Sequence, residues 1–201
     1  MPPRATSSSP VSASPLSALT SLLLAAALLG VGALAAAPSQ AQSSNAFVTT
    51  WETTEADESI FIPTAPGTYY DFTIDWGDDT VENITGTNPN PVHTYNVAGS
   101  HTVAITGTFP HLFLDAWYEG NGDEANARKL QTIEQWGSIV WDSMEAAFAG
   151  AENMEYNASD RPNLYRINGI SAEAMFFGAS SFNGDIADWD VFLVDNMRAM
   201  F

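Results

Sequence analysis

MFFGASSFNGDIADWDVFLVDNMRAMF, residues Met175 to Phe201, begins and ends on the same pair, Met175-Phe176 recurring as Met200-Phe201. Upstream, Phe148-Ala149-Gly150-Ala151 matches Phe176-Phe177-Gly178-Ala179 at a spacing of twenty-eight. Self-similarity of this period indicates stacked repeats rather than one globular core. Such a chain is expected to act through surface and shape, with chemistry secondary.

Aligned on these anchors, Trp136, Leu164 and Trp189 share one position, and Ile139, Ile167 and Phe192 share the next apolar one. Ser143, Ser171 and Asn196 follow, then Met144, Ala172 and Met197, and four residues later Phe148, Phe176 and Phe201. Ile139-Val140-Trp141 and Val191-Phe192-Leu193-Val194 are β-prone runs. The polar residue after each run suits a helix N-cap. Met144/Ala147/Phe148, Ala172/Met175/Phe176 and Met197/Met200/Phe201 then have the spacing of one helical stripe, predicting a short helix per unit. Gly150 and Gly178 fall where such a helix needs a left-handed stop. A helix of under two turns is unstable alone and must be held by its neighbours. The last unit breaks off at Phe201 on apolar side chains, where a stack of repeats needs a polar cap. A truncated product or fragment is therefore expected, or an end that self-associates.

The pattern MFxGAxxFNxDIxxWDVxxVxxMxxMF resembles the repeat of BspA-type leucine-rich-repeat surface proteins, also found in many Mycoplasma lipoproteins. The likeness is close over Met175–Phe201 and looser over Leu130–Ala174. In that family Ser-Ser or Ser-Thr usually follows the Trp-Asp-Val; here Phe192-Leu193 stand instead. The resemblance implies an extracellular adhesion or binding surface, not catalysis.

The chain has 201 residues and a formal charge of −18, with 24 acidic against 6 basic side chains. That balance argues against nucleic acid and against anionic membrane surfaces, which need clustered Lys and Arg. Cysteine is absent, which excludes disulfides, thiolate chemistry, Cys-based metal sites and a lipid anchor on an N-terminal cysteine. Near the N-terminus, Arg4 is followed by the apolar stretch Leu22–Ala36 and by Ser39-Gln40-Ala41, a small-x-small cleavage site. These features predict a secretory signal peptide over residues 1–41, the alternative being an uncleaved anchor. The acidity suggests either a high-salt habitat, where carboxylate repulsion is screened, or an ordinary acidic exported protein.

Between the signal segment and the repeats, Phe47–Trp51 and Ser59–Ile62 read as strands. Tyr70, Phe72, Ile74 and Trp76 alternate with Asp71, Thr73 and Asp75, as in a half-buried strand. Gly77-Asp78-Asp79-Thr80 is a turn, and Val103 and Ile105 point inward from a further alternating stretch. Strands this short and closely spaced suggest a small antiparallel sandwich. Trp76-Gly77-Asp78-Asp79-Thr80 with His93-Thr94-Tyr95 and Gly99–Val103 resembles a PKD-type, immunoglobulin-like module over about Phe47 to Gly107. Modules of that type serve as spacers and ligand-binding domains on exported proteins. With the two resemblances included, the expected fold is α+β. It comprises a small antiparallel β-sandwich (42–114), a connection (115–129) and a short leucine-rich-repeat-like solenoid (130–201). The solenoid would hold about three copies, each a strand plus a short helix.

Candidate chemistry is sparse. Asp75, Asp78 and Asp79 cluster near a turn and could ligate calcium through oxygen, but their spacing is not that of an EF-hand loop. Turn hydrogen bonding is preferred for them. His93, His101 and His111 are the only imidazoles, and a structural role for His93 is preferred to a zinc site. Asp185, Asp188 and Asp190 lie in a repeat loop where a carboxylate pair could serve a glycosidase. Asn83-Ile84-Thr85 and Asn157-Ala158-Ser159 are glycosylation sequons. No phosphate-cradling glycine loop and no G-x-S-x-G occurs. The expectation is an exported, non-enzymatic binding or adhesion protein with no cofactor, facing an unknown protein or glycan ligand at the cell surface. A carbohydrate-active enzyme and a purely structural spacer are the alternatives.

Overall fold

The computed structural model describes residues 43–115, 123–164 and 168–201. The expected signal peptide, part of the expected connection, and the repeat position Ile167 lie outside the described residues. The strand β1 (Phe47–Thr53) is the centre of the architecture. Phe47, Val48, Thr49, Trp51 and Thr53 are all buried, so both faces of the strand are covered. A central strand must also spend its backbone groups on both edges. On one side β1 pairs antiparallel with β6 (Gly99–Thr108), from Phe47 opposite Ile105 to Thr53 opposite Gly99. On the other it pairs antiparallel with β7 (Leu130–Gln135), in a register broken by two irregularities.

The rest of the sheet follows from pattern. In β3 (Tyr69–Asp75), Tyr70, Phe72 and Ile74 are buried while Tyr69 and Asp71 face solvent, as strict alternation requires. β4 (Val81–Thr87) closes the hairpin on β3 and forms one edge. At the other edge the two-residue β8 (Glu155–Tyr156) runs parallel to β7. The six strands lie in the order β4-β3-β6-β1-β7-β8. β2 (Glu58–Phe61) and β5 (Val92–Tyr95) form a separate antiparallel pair. Their Ile60 and Tyr95 enter the same hydrophobic core as the large sheet.

That core runs through both halves of the chain. The ring of Phe47 stacks on Trp136 at 5.5 Å and meets Trp141 edge-on at 5.1 Å. Trp136 in turn meets Phe148 at 5.9 Å. Aromatic pairs at these offsets add to the free energy of burial itself. The sheet and its aromatics thus bind residues 47–108 to the first repeat.

The expected connection contains α1 (Glu124–Lys129), the one helix among the described residues. Asp123 caps it, with Oδ1 accepting from Asn126 N at 3.0 Å. Glu124 in its first turn and Arg128 and Lys129 in its last complement the helix dipole. Buried Asn126 reaches β2: its Oδ1 accepts from Phe61 N at 3.1 Å and its Nδ2 donates to Phe61 O at 3.0 Å. The amide thereby completes the backbone pairing of a strand edge.

The α+β expectation of a sandwich followed by strand-plus-helix units is overturned. The structure is mostly β, and among the described residues no repeat contains a helix. At Ser143, Ser171 and Asn196 the local chemistry read as helix capping does occur, but it opens a turn. The side-chain oxygens accept from Glu145 N at 3.1 Å, Glu173 N at 3.3 Å and Arg198 N at 3.1 Å, the two-residue reach of an Asx- or ST-turn. Next, Ala146, Ala174 and Ala199 take φ of 48°, 54° and 50°. A left-handed residue at that point breaks any right-handed helix.

Consecutive turns replace it, and their N–H groups divide in alternation. Ala147, Ala149 and Ala151 donate three residues back, to Met144, Ala146 and Phe148. Met144, Ala146, Phe148 and Gly150 donate instead to Ser171, Glu173, Met175 and Phe177 of the following copy, at 2.8–2.9 Å. Ala172, Ala174 and Phe176 repeat this toward Asn196, Arg198 and Met200. A segment too short to satisfy itself as a helix satisfies its backbone laterally. The β-prone runs shrink correspondingly. Val140 makes one parallel bridge to Asn163, and only Val194 of its run enters a strand, β10 (Val194–Asn196), parallel to β9 (Ile170–Ser171).

Candidate functional site

The turn after β3 holds the three carboxylates considered for calcium. Asp75 Oδ1 accepts from Gly77 N at 2.9 Å, and Asp78 Oδ1 from Thr80 N at 3.2 Å. Asp78 Oδ2 accepts from His93 Nε2 at 2.8 Å. Asp79 occupies the left-handed position, at φ 69°. Burial raises the Asp78 pKa, but the bonds from His93 and Thr80 outweigh it and hold the carboxyl below its ordinary value. Among the described residues no group of three or more His, Asp or Glu side chains is placed to hold a metal ion. The oxygens of Asp75 and Asp78 instead close the turn.

The imidazoles are parts of two aromatic assemblies. His93 stacks on Trp76 at 5.0 Å and meets Tyr95 edge-on at 4.6 Å, and Tyr95 stacks on His101 at 3.6 Å. Tyr95 Oη donates to Trp76 O at 2.8 Å, and His101 Nε2 lies 2.8 Å from Thr53 Oγ1. Burial raises the Tyr95 pKa and lowers that of His101. His111 stands apart. It is 8% exposed, with Nε2 donating to Glu145 O at 2.8 Å. Burial depresses its pKa against the opposing pull of that carbonyl.

The repeat-loop aspartates also engage the backbone. Asp185 Oδ1 accepts from Ala187 N at 3.0 Å and Asp190 Oδ1 from Phe192 N at 3.2 Å. Asp188 contributes its carbonyl, which accepts from Arg161 Nη1 at 2.8 Å. This last bond draws together two successive repeats, and beside it opens a groove of about 430 Å³. Arg161, Asn163 and Leu164 line it from one repeat, and Asp190, Phe192 and Leu193 from the next. Leu164 is buried, whereas Arg161, Asn163 and Asp190 are exposed. Phe192 is 89% exposed.

That exposure corrects the expected equivalence of Phe192 with Ile139, which is 2% exposed. A two-residue turn at Phe192-Leu193 carries the ring outward, so it leaves the core its repeat mate joins. The groove-lining Arg161 and Asn163 were not singled out from the sequence. Phe192-Leu193, standing where the resembled family has Ser-Ser or Ser-Thr, was the available signal. A second groove, of about 490 Å³, lies between Tyr69, His111, Val140 and Ser143. Its imidazole is already turned toward the Glu145 carbonyl.

Residues 121–201 match a family described as Mycoplasma protein of unknown function, DUF285. That match is compatible with a Mycoplasma-type surface repeat protein. No curated protein and no solved structure matches the chain.

Proposed function

We propose that the chain is a non-enzymatic binding module of an exported, cell-surface protein. The observation that carries this proposal is the groove beside Phe192. A large apolar ring at 89% exposure forfeits the free energy that burial would supply, and a two-residue turn holds it beside a concave surface. Stacked-repeat proteins use their extended faces for recognition in this way. The match over 121–201 is compatible with such a surface protein. Export is supported by the N-terminal segment of the sequence.

Labelled chain applied to whole cells and to extracellular matrix preparations should bind saturably, and Phe192→Ala should remove most of that binding. Failure to bind any preparation would favour the structural-spacer alternative. Export has its own test: the N-terminus of the secreted protein should begin at Gln42. An intact Met1 on cell-retained protein would refute it.

A further inference from the structure

Among the described residues, one cation differs from the others in its partners. Arg128 pairs with Glu152 and Glu124, Lys129 with Glu58, and Arg198 with Glu173. Arg161 has no carboxylate partner among the described residues; its guanidinium is tethered only through Nη1, to the Asp188 carbonyl at 2.8 Å. With a formal charge of −18, carboxylates are plentiful, yet this cation is directed by a backbone oxygen to the rim of a groove.

We propose that the groove beside Phe192 binds a neutral saccharide, with one sugar ring lying on Phe192 and its hydroxyls held by Arg161, Asn163 and Asp190. The inference rests on the binding-module function proposed above and names its ligand class. A sugar ring has an apolar C–H face and an equator of hydroxyls that both donate and accept. The groove offers the complement of each. Phe192 supplies a flat apolar face at 89% exposure. Arg161 keeps most of its five N–H donors after the single bond to Asp188. Asp190 accepts from Phe192 N through Oδ1, which ties its carboxylate to the Phe192 main chain and leaves Oδ2 as an acceptor. Asn163 is tied through its main chain, Trp141 N donating to its carbonyl at 3.2 Å, while its amide adds a donor and an acceptor.

Other ligand classes fit less well. A purely apolar ligand would cover the Arg161 and Asp190 charges without pairing them, at a large desolvation cost. A polyanion would meet Asp190 on the rim and the strongly negative field of the whole chain. The volume, about 430 Å³, is that of a small-ligand cleft. A neutral, hydroxyl-rich ring satisfies the donors, the acceptor and the apolar face together.

The test is titration calorimetry of the full chain with hexaoses of glucose (α- and β-linked), xylose, mannose and N-acetylglucosamine, with oligogalacturonate as an acidic comparison. Saturable binding of at least one neutral hexaose is expected. Phe192→Ala should weaken it by about tenfold or more, given the worth of an aromatic stack, and Arg161→Met should weaken it too. Tyr69→Ser, on another exposed surface, should leave it unchanged. Thermal melts of each variant confirm folding, which the exposure of Phe192 makes secure. No binding by a folded chain overturns the proposal, as does binding indifferent to Phe192→Ala and Arg161→Met. Tighter binding of oligogalacturonate overturns the neutral-sugar assignment. If every sugar fails while the chain still binds cells or matrix, the saccharide inference falls and the binding module stands. If both fail, both fall. Hydrolysis of a bound hexaose, lost in Asp190→Asn, would overturn the non-enzymatic assignment.

Discussion

The rings of Phe148 and Phe176 stack with their centroids 5.6 Å apart and their planes 11° from parallel. Phe201 repeats the step onto Phe176, again at 5.6 Å. This column is the side-chain counterpart of the hydrogen-bond ladder, since Phe148 N donates to Met175 O and Phe176 N to Met200 O. Side chain and backbone therefore lock the same register, and each makes the other's geometry possible.

Truncating the middle of the column should be costly. Phe176 is 2% exposed and touches rings on both sides, including Phe182 at 4.0 Å. Phe176→Ala should lower the unfolding free energy by about 3–5 kcal/mol, read from urea denaturation. Phe201→Ala, at a ring 69% exposed, should cost less than about 1 kcal/mol. Equal costs would mean the rings do not act as a column.

The left-handed alanines distinguish stacked turns from short helices. Ala174 is fully buried at φ 54°. A β-branched residue there meets both backbone strain and crowding, so Ala174→Val should cost about 2–3 kcal/mol. Glycine tolerates the conformation and loses only a methyl group, so Ala174→Gly should melt above Ala174→Val. In a helix the order would reverse.

Acid should weaken the tie between α1 and β2. Glu58 Oε1 lies 2.7 Å from Lys129 Nζ, with both side chains under one-fifth exposed. The hydrogen bond from Lys129, with that from Thr54 N, holds the Glu58 carboxyl down to about 2. A folded pKa below the unfolded one, about 4.3, gives stability that is present above that value and lost as pH falls toward 2. With solvent screening the effect is on the order of 1 kcal/mol. The stability gap between wild type and Glu58→Gln should thus close between about pH 4.3 and 2. A gap that persists at pH 2 would exclude the ion pair as its source.

Tyr70 should reveal itself in alkali. Its buried hydroxyl donates to His111 O at 2.7 Å and accepts from Ala65 N at 2.8 Å. Burial pushes the phenol up to about 12. The folded pKa exceeds the unfolded value, about 10, so stability is present below that and lost as pH rises toward 12. Tyr70→Phe should cost about 1–3 kcal/mol at neutral pH by stranding two buried backbone groups. It should also remove part of the alkaline loss, Tyr95, likewise raised by burial, keeping the rest.

Where the sequence read true, side chains alone carried the information. Tyr70, Phe72 and Ile74 alternate in any strand with one wet face, so β3 was legible from its own residues. The equivalences Phe148/Phe176/Phe201 and Ser143/Ser171/Asn196 were legible for the same reason, because identity repeats even where structure is undecided. The mistaken helix came from a true signal. A polar residue that takes the N–H two positions on, followed by apolar residues three and four apart, describes a capped helix and a run of stacked turns equally well.

The sequence by itself determined which residues repeat, which faces are apolar and how acidic the surface is, all of these being properties of side chains in order. Only the tertiary structure decided where alternate N–H groups of Met144 to Gly150 find their acceptors, twenty-seven residues further on. It also decided that β7 joins β1, and that Phe192 stands in solvent beside Arg161 while Ile139 is buried. The physical reason is common to all three. A backbone donor, a strand edge and an apolar ring each have several partners of similar free energy nearby, and the choice falls to whichever neighbour the rest of the fold brings within reach.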